Sequence, residues 1–229
     1  MTTTEPPSKK PTAKAQRYAA GQNETGLQYY ATWEIDKAIE AFRETVAADP
    51  ENPEYHLNLA RAYARGSNFQ EAIRSLGEYL RTETNEDIAA RYERLFSSAL
   101  DEVETELIEK TRAMGMPIQQ TGKAIQMWLE YRITLGRRPL RVPKPELWAA
   151  ALTYAVGKVN FSPITRVEVA DLYGVSERSL RQKYEELVQT LDLMPADFRY
   201  FTGKENPLDK LVEAAQMLDE LYGRFRDED

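Results

Sequence analysis

Apolar residues recur three and four positions apart over most of the chain, and that period predicts helices. It begins near residue 22. Alternating apolar and polar runs bounded by turn pairs are missing, so no strand is expected. Breaks fall at Asp49-Pro50, Gly66-Ser67, Thr82 to Asn85, Gly115 to Pro117, Gly136 to Pro145, Ser162-Pro163, Gly174 and Thr202 to Pro207. Between them lie helices of about 12 to 20 residues, with a longer candidate over 86–113. The fold class is all-α. Leu208, Leu211, Val212, Ala215, Leu218, Leu221, Tyr222 and Phe225 place a further amphipathic helix over 207–225, which either packs on the preceding module or mediates self-association.

The first half repeats itself. Gly26 corresponds to Ala60, Tyr29 to Tyr63, Ala38 to Ala72 and Phe42 to Leu76, all at one offset. Small residues at Gly26/Ala60 and Ala38/Ala72 let antiparallel helices approach closely, and larger ones fill the space between successive hairpins. This pattern resembles the tetratricopeptide repeat, over about residues 19–85. It departs from the family where Gln22 and His56 stand at a position usually held by Trp, and where Thr84 replaces the closing Pro. Two repeats leave an exposed end, and the helix carrying Ile88, Tyr92, Leu95, Phe96, Leu100, Val103 and Leu107 is expected to cap it. The resemblance implies a protein or peptide partner on the face of each repeat's first helix. The matching positions are Asn23, Leu27, Tyr30, Leu57 and Arg61, with Arg65 beside them. Arg61 and Arg65, one turn apart, would grip an acidic peptide or pair with neighbouring Glu.

The segment 165–187 has the spacing of a helix-turn-helix. Ala170 is small where two helices cross, Gly174 supplies a left-handed turn, and Val175 and Leu180 point inward. Ser176 caps the second helix, and Glu177 suits its first turn. The longer run 144–193 resembles the later helices of a cyclin-like repeat of the transcription factor IIB family. The shared elements are Trp148-Ala149-Ala150-Ala151 with Tyr154, Val169-Ala170, Gly174-Val175-Ser176, and Arg181, Tyr184 and Leu187. One such repeat is found where the family's core carries two, and a zinc ribbon is excluded by the lack of Cys. If the second helix enters a major groove, Ser176, Arg178, Arg181 and Gln182 would face bases and Lys183 a phosphate. Arg137, Arg138, Arg141 and Lys144 would then supply backbone contacts. Glu185, Glu186, Glu168 and Asp171 oppose that use, and such units also bind proteins.

Charge divides the two halves. Between Glu51 and Lys110 thirteen acidic residues face seven Lys/Arg; between Thr121 and Pro145 six Lys/Arg face only Glu130. The expected organisation is a disordered tail over 1–18, repeats with their cap over 19–114, and the helix-turn-helix module over 115–229. A net charge of −7 argues against indiscriminate nucleic-acid binding. No apolar run reaches a membrane span and the start lacks a signal-peptide core, so a cytoplasmic location is expected. With zero cysteines and one histidine, His56, neither a metal site nor a cofactor is expected, and no phosphate-cradling glycine loop occurs. The whole reads as a non-enzymatic regulatory adaptor: the repeats take a protein, and the second module contacts DNA or the transcription machinery. The alternative is a scaffold with two protein-binding surfaces.

Overall fold

The computed structural model describes residues 11–93 and 101–203, and all regular elements there are helical. Two compact units divide between Ser97 and Ser98. The first holds α1 (Ala13–Ala31), α2 (Ile35–Ala48), α3 (Pro53–Arg65), α4 (Phe69–Thr82) and α5 (Glu86–Glu93). Three of these helix starts follow from local chemistry. Thr12, Asn52 and Asn68 accept backbone N–H bonds at the starts of α1, α3 and α4, and Pro53 occupies the first turn of α3, where its missing N–H costs nothing. Residues 13–18, expected within a tail, are helical here: Thr12 caps a helix that starts at Ala13.

The repeat extends to individual hydrogen bonds. The Glu34 N–H donates to the Tyr29 carbonyl at 2.9 Å, and the Asn68 N–H donates to the Tyr63 carbonyl at the same distance. Trp33 and Ser67, at the same register inside these turns, both have positive φ, 63° and 60°. Close approach fixes residue size. A Cβ on Gly26 would lie 2.5 Å from the Phe42 ring, and Phe42 is itself buried. Ala38, Ala60 and Ala72 have no solvent exposure. In the second repeat the smaller Leu76 stands where Phe42 stands in the first, which agrees with a methyl being tolerated at Ala60. Past α4, the buried Tyr92 of α5 sets its ring edge-on to Tyr79 at 5.2 Å.

The second unit comprises α6 (Glu102–Ala113), α7 (Ile118–Leu135), α8 (Pro145–Val159), α9 (Arg166–Tyr173) and α10 (Glu177–Leu191). Here the structure departs from the expected long capping helix over 86–113. α6 starts afresh at an Asp101/Glu104 capping box, and its Val103 and Leu107 join the core of Trp128 and Trp148. Leu95, Phe96 and Leu100 lie outside the described residues, as does the expected helix over 207–225. α8 runs through the middle, packed on α6, α7, α9 and α10. Its Ala149, Ala150, Ala151 and Ala155 are buried because helices close in on several sides at once, leaving little depth for larger side chains.

Candidate functional site

On the repeats, the first helices α1 and α3 carry a polar ladder. Asn58 Nδ2 donates to Asn23 Oδ1 at 3.0 Å, and Arg61 Nη1 donates to Asn58 Oδ1 at 3.0 Å. Leu27 is 41% exposed, and Asn23, Tyr30 and Arg61 are partly accessible. Two expected contact residues are not at the surface. Leu57 is 2% exposed and Arg65 3%. The Arg65 guanidinium lies 4.1 Å from the Tyr30 ring centre and 4.7 Å from that of Trp33, so aromatic faces stabilise a cation removed from water. Arg65 thus builds the wall on which Tyr30 sits, and Arg61 alone of the two arginines remains within reach of a ligand. Asn58 was not singled out from sequence. A polar residue between Leu57 and Leu59, inside an apolar run, was the available signal.

In the second unit the helix-turn-helix geometry is present in full. Gly174 takes the left-handed conformation (φ 64°, ψ 32°), the Val175 N–H donates to the Ala170 carbonyl at 2.9 Å, and Ser176 Oγ accepts from the Ser179 N–H at 3.1 Å. Leu180 has no exposure and anchors α10 to the core. Arg166 pairs with Glu177 at 3.1 Å, tying the start of α9 to the first turn of α10.

The outward face of α10 is charge-matched rather than uniformly basic. Arg178 and Gln182 are exposed. Arg181 is exposed too, but its Nε donates to Glu185 at 2.7 Å. Lys183 is drawn inward: its ammonium lies 4.1 Å from the Trp148 ring centre and 2.6 Å from Glu186. Glu186 also accepts the Tyr131 hydroxyl at 2.5 Å. Burial works to raise the Glu186 carboxyl, but the bonds from Lys183 and Tyr131 outweigh it and hold the group below the usual carboxylate range. Burial, with that same bond, pushes the Tyr131 phenol far up.

The basic run after α7 is divided. Arg132 is 16% exposed and spent on Asp101 (2.6 Å) and Glu104 (3.3 Å). Arg137, Arg138, Arg141 and Lys144 are exposed in the connection to α8, which leaves α7 through Gly136 at φ 58°. The Arg138 charge acts on Glu186 of α10, so the basic connection has an acid of that helix within electrostatic reach.

One group of residues had no signal in the sequence. Glu130, Asp197 and Arg199 are wholly buried together. Arg199 donates to Glu130 at 2.5 Å, to Asp197 at 2.7 and 2.9 Å, and to the Leu191 carbonyl at 2.8 Å. Tyr200 closes the network on the other Glu130 oxygen at 2.5 Å.

Comparison with known proteins agrees with this geometry. Residues 23–88 match the tetratricopeptide repeat family. The first unit carries tetratricopeptide repeats. A stretch of 86 residues is 33% identical to transcription initiation factor IIB of Xenopus laevis, covering 37% of this chain and 24% of that protein. The chain thus spans about a quarter of the length of the curated relative it matches. Among the described residues no helix is long and apolar enough to cross a membrane, and no cluster of His, Cys, Asp or Glu is placed to hold a metal ion.

Proposed function

We propose that this chain is a non-enzymatic cytoplasmic adaptor. Its tetratricopeptide face holds a protein segment, and its helix-turn-helix module docks on a protein of the transcription machinery. The α1–α3 face supports the first part: Leu27 offers an apolar contact, and Asn23 and Arg61, both bonded to the buried Asn58 between them, are suited to backbone amides or a carboxylate. For the second part, the observation that carries the reading is the matching of charge on α10. Arg181 with Glu185 and Lys183 with Glu186 leave a face that does not concentrate positive charge, as a phosphate backbone would require. The likeness to transcription initiation factor IIB supplies the link to transcription.

A second reading, duplex DNA contact, is favoured by one observation. Arg178, Arg181 and Gln182 are exposed in the N-terminal half of α10, where a recognition helix meets base edges. Affinity capture with the full chain separates these readings. Proteins lost on Arg61→Glu report the repeat face, and proteins lost on Arg178→Glu report α10. Identical captured sets for wild type and both variants would sink the two-surface adaptor. Retention of a random duplex at low ionic strength, weakening with added salt, would replace protein docking with DNA contact.

A further inference from the structure

On another side of the repeat module, between α2 and α4 and over one face of α3, lies a cleft of about 290 Å³. That size is at the lower edge of pockets that hold small molecules, about 300–1,000 Å³, and suits one side chain. Its walls are mainly apolar, with Val46 from α2 and Leu59 and Tyr63 from α3. The rim carries Arg43 on α2 and Glu71, Arg74 and Glu78 on α4.

The rim charges are not equivalent. Glu71 is paired with Arg74 at 3.0 Å, and Glu78 with Arg81 at 2.9 Å, an arginine that also reaches Glu51 at 3.5 Å, so each acid of α4 has an arginine of the same helix beside it. Arg43 is exposed and makes no ion pair or hydrogen bond among the described residues. The uncompensated charge at the mouth of this apolar cleft is therefore positive. A bare hydrophobic ligand would leave that cation unused, and a basic one would meet repulsion on the α2 side.

We propose that the cleft is a second peptide site of the repeat module, one that takes an apolar side chain flanked by a carboxylate. The apolar group fills the space between Val46, Leu59 and Tyr63, and the carboxylate pairs with Arg43. An acidic–hydrophobic peptide segment has this chemistry, and N-acetylphenylalanine is its smallest probe.

The chain supplies its own reporter. His56 is the single histidine. It lines the cleft, and its Nε2 is fixed 2.7 Å from the Pro50 carbonyl oxygen. In proton NMR of the full chain, the His56 ring signals are expected to shift saturably with N-acetylphenylalanine. Its amide should bind about two- to five-fold more weakly, the span of one exposed ion pair. Arg43→Gln should bring the acid down to the affinity of the amide. Ala47→Phe, at an exposed position on the cleft wall, should abolish both shifts. Unmoved His56 signals, equal binding of acid and amide, or shifts that survive Ala47→Phe would each overturn the proposal. Protein capture on α1 and α3 is read separately through Arg61→Glu, so failure here leaves that reading standing.

Discussion

Arg199 and Glu130, 69 residues apart in sequence, form an ion pair in which neither side chain has any solvent exposure. Isolated burial of either charge would be prohibitive; here Asp197, Tyr200 and the Leu191 carbonyl complete the hydrogen bonding. The pair fastens the irregular chain after α10 to α7. Arg199→Met should destabilise the second unit by about 3–5 kcal/mol, because Glu130 and Asp197 are left buried without their cation. Pairing it with Glu130→Leu should recover part of that loss. Denaturant unfolding monitored by tryptophan fluorescence, with Trp128 and Trp148 both in this core, reads the difference. A loss below 1 kcal/mol for Arg199→Met would mean that the network contributes little.

Two glycines in helices should respond with opposite sign to alanine. At Gly26 the added methyl meets the buried Phe42 ring at 2.5 Å, and overpacking of this kind costs about 1–3 kcal/mol. At Gly122, inside α7, nothing lies within 4 Å, so the same change should stabilise by about 0.4–1 kcal/mol through the unfolded chain. Melting curves of the two variants check both signs at once.

These glycines also mark what sequence could and could not supply. Gly26, Tyr29, Ala38 and Phe42 were legible because helix crossing imposes residue size at fixed intervals, and the imposition recurs in the second repeat. Gly174 and Ser176 were legible because a left-handed turn and a cap are local requirements. The burial of Arg65 was not, since it depends on Tyr30 and Trp33 arriving from another helix and its turn. Nor was α6's allegiance: its apolar spacing suits either core, and what decides is packing of Val103 and Leu107 beside Trp128. Arg199 lies close to a stretch that reads as a break, so nothing periodic announced its partner on α7.

Gly174 tests the turn directly. At φ 64° a β-branched side chain is strained, and Gly174→Val should cost about 1–2 kcal/mol or more. Hydrogen exchange should quicken in α9 and α10 while α1 to α4 keep their protection. Unchanged exchange in α9 and α10 would mean that the turn tolerates a side chain.

Alkaline pH should expose the buried phenols. Burial pushes the Tyr173 hydroxyl up to about 12 from an ordinary value of 10.0, and its bond with Thr153 at 2.7 Å only partly offsets this. The folded state thus holds a proton that the unfolded state releases first. Stability contributed by neutral Tyr173 is complete below pH 10 and is lost as pH rises from 10 towards 12. Tyr173→Phe should flatten the fall in unfolding free energy over that window, though not abolish it, because Tyr200 and Tyr131 are raised as well. An identical slope in the variant would exclude Tyr173 as a contributor.

Lys183 and Arg178 separate the roles that α10 can play. Were α10 a recognition helix, both would be cations beside phosphate or bases, and removing a phosphate contact would flatten the log–log salt slope by about 0.9. Lys183, however, lies over Trp148 and beside Glu186, which casts it as part of the packing between α8 and α10. Lys183→Met should therefore lower the melting temperature, in line with about 0.5–2 kcal/mol for a partly desolvated cation–π contact, and leave any duplex titration parallel to wild type. Arg178→Ala should do the reverse. Exposed at the start of α10, it should leave the melting temperature unchanged and weaken whichever partner α10 meets. With a protein partner, that loss appears without a steep salt dependence; with duplex DNA, it appears as a change at one base position. A Lys183→Met variant with normal stability and a flattened salt slope would contradict the inward placement of Lys183 and restore DNA contact as the first account.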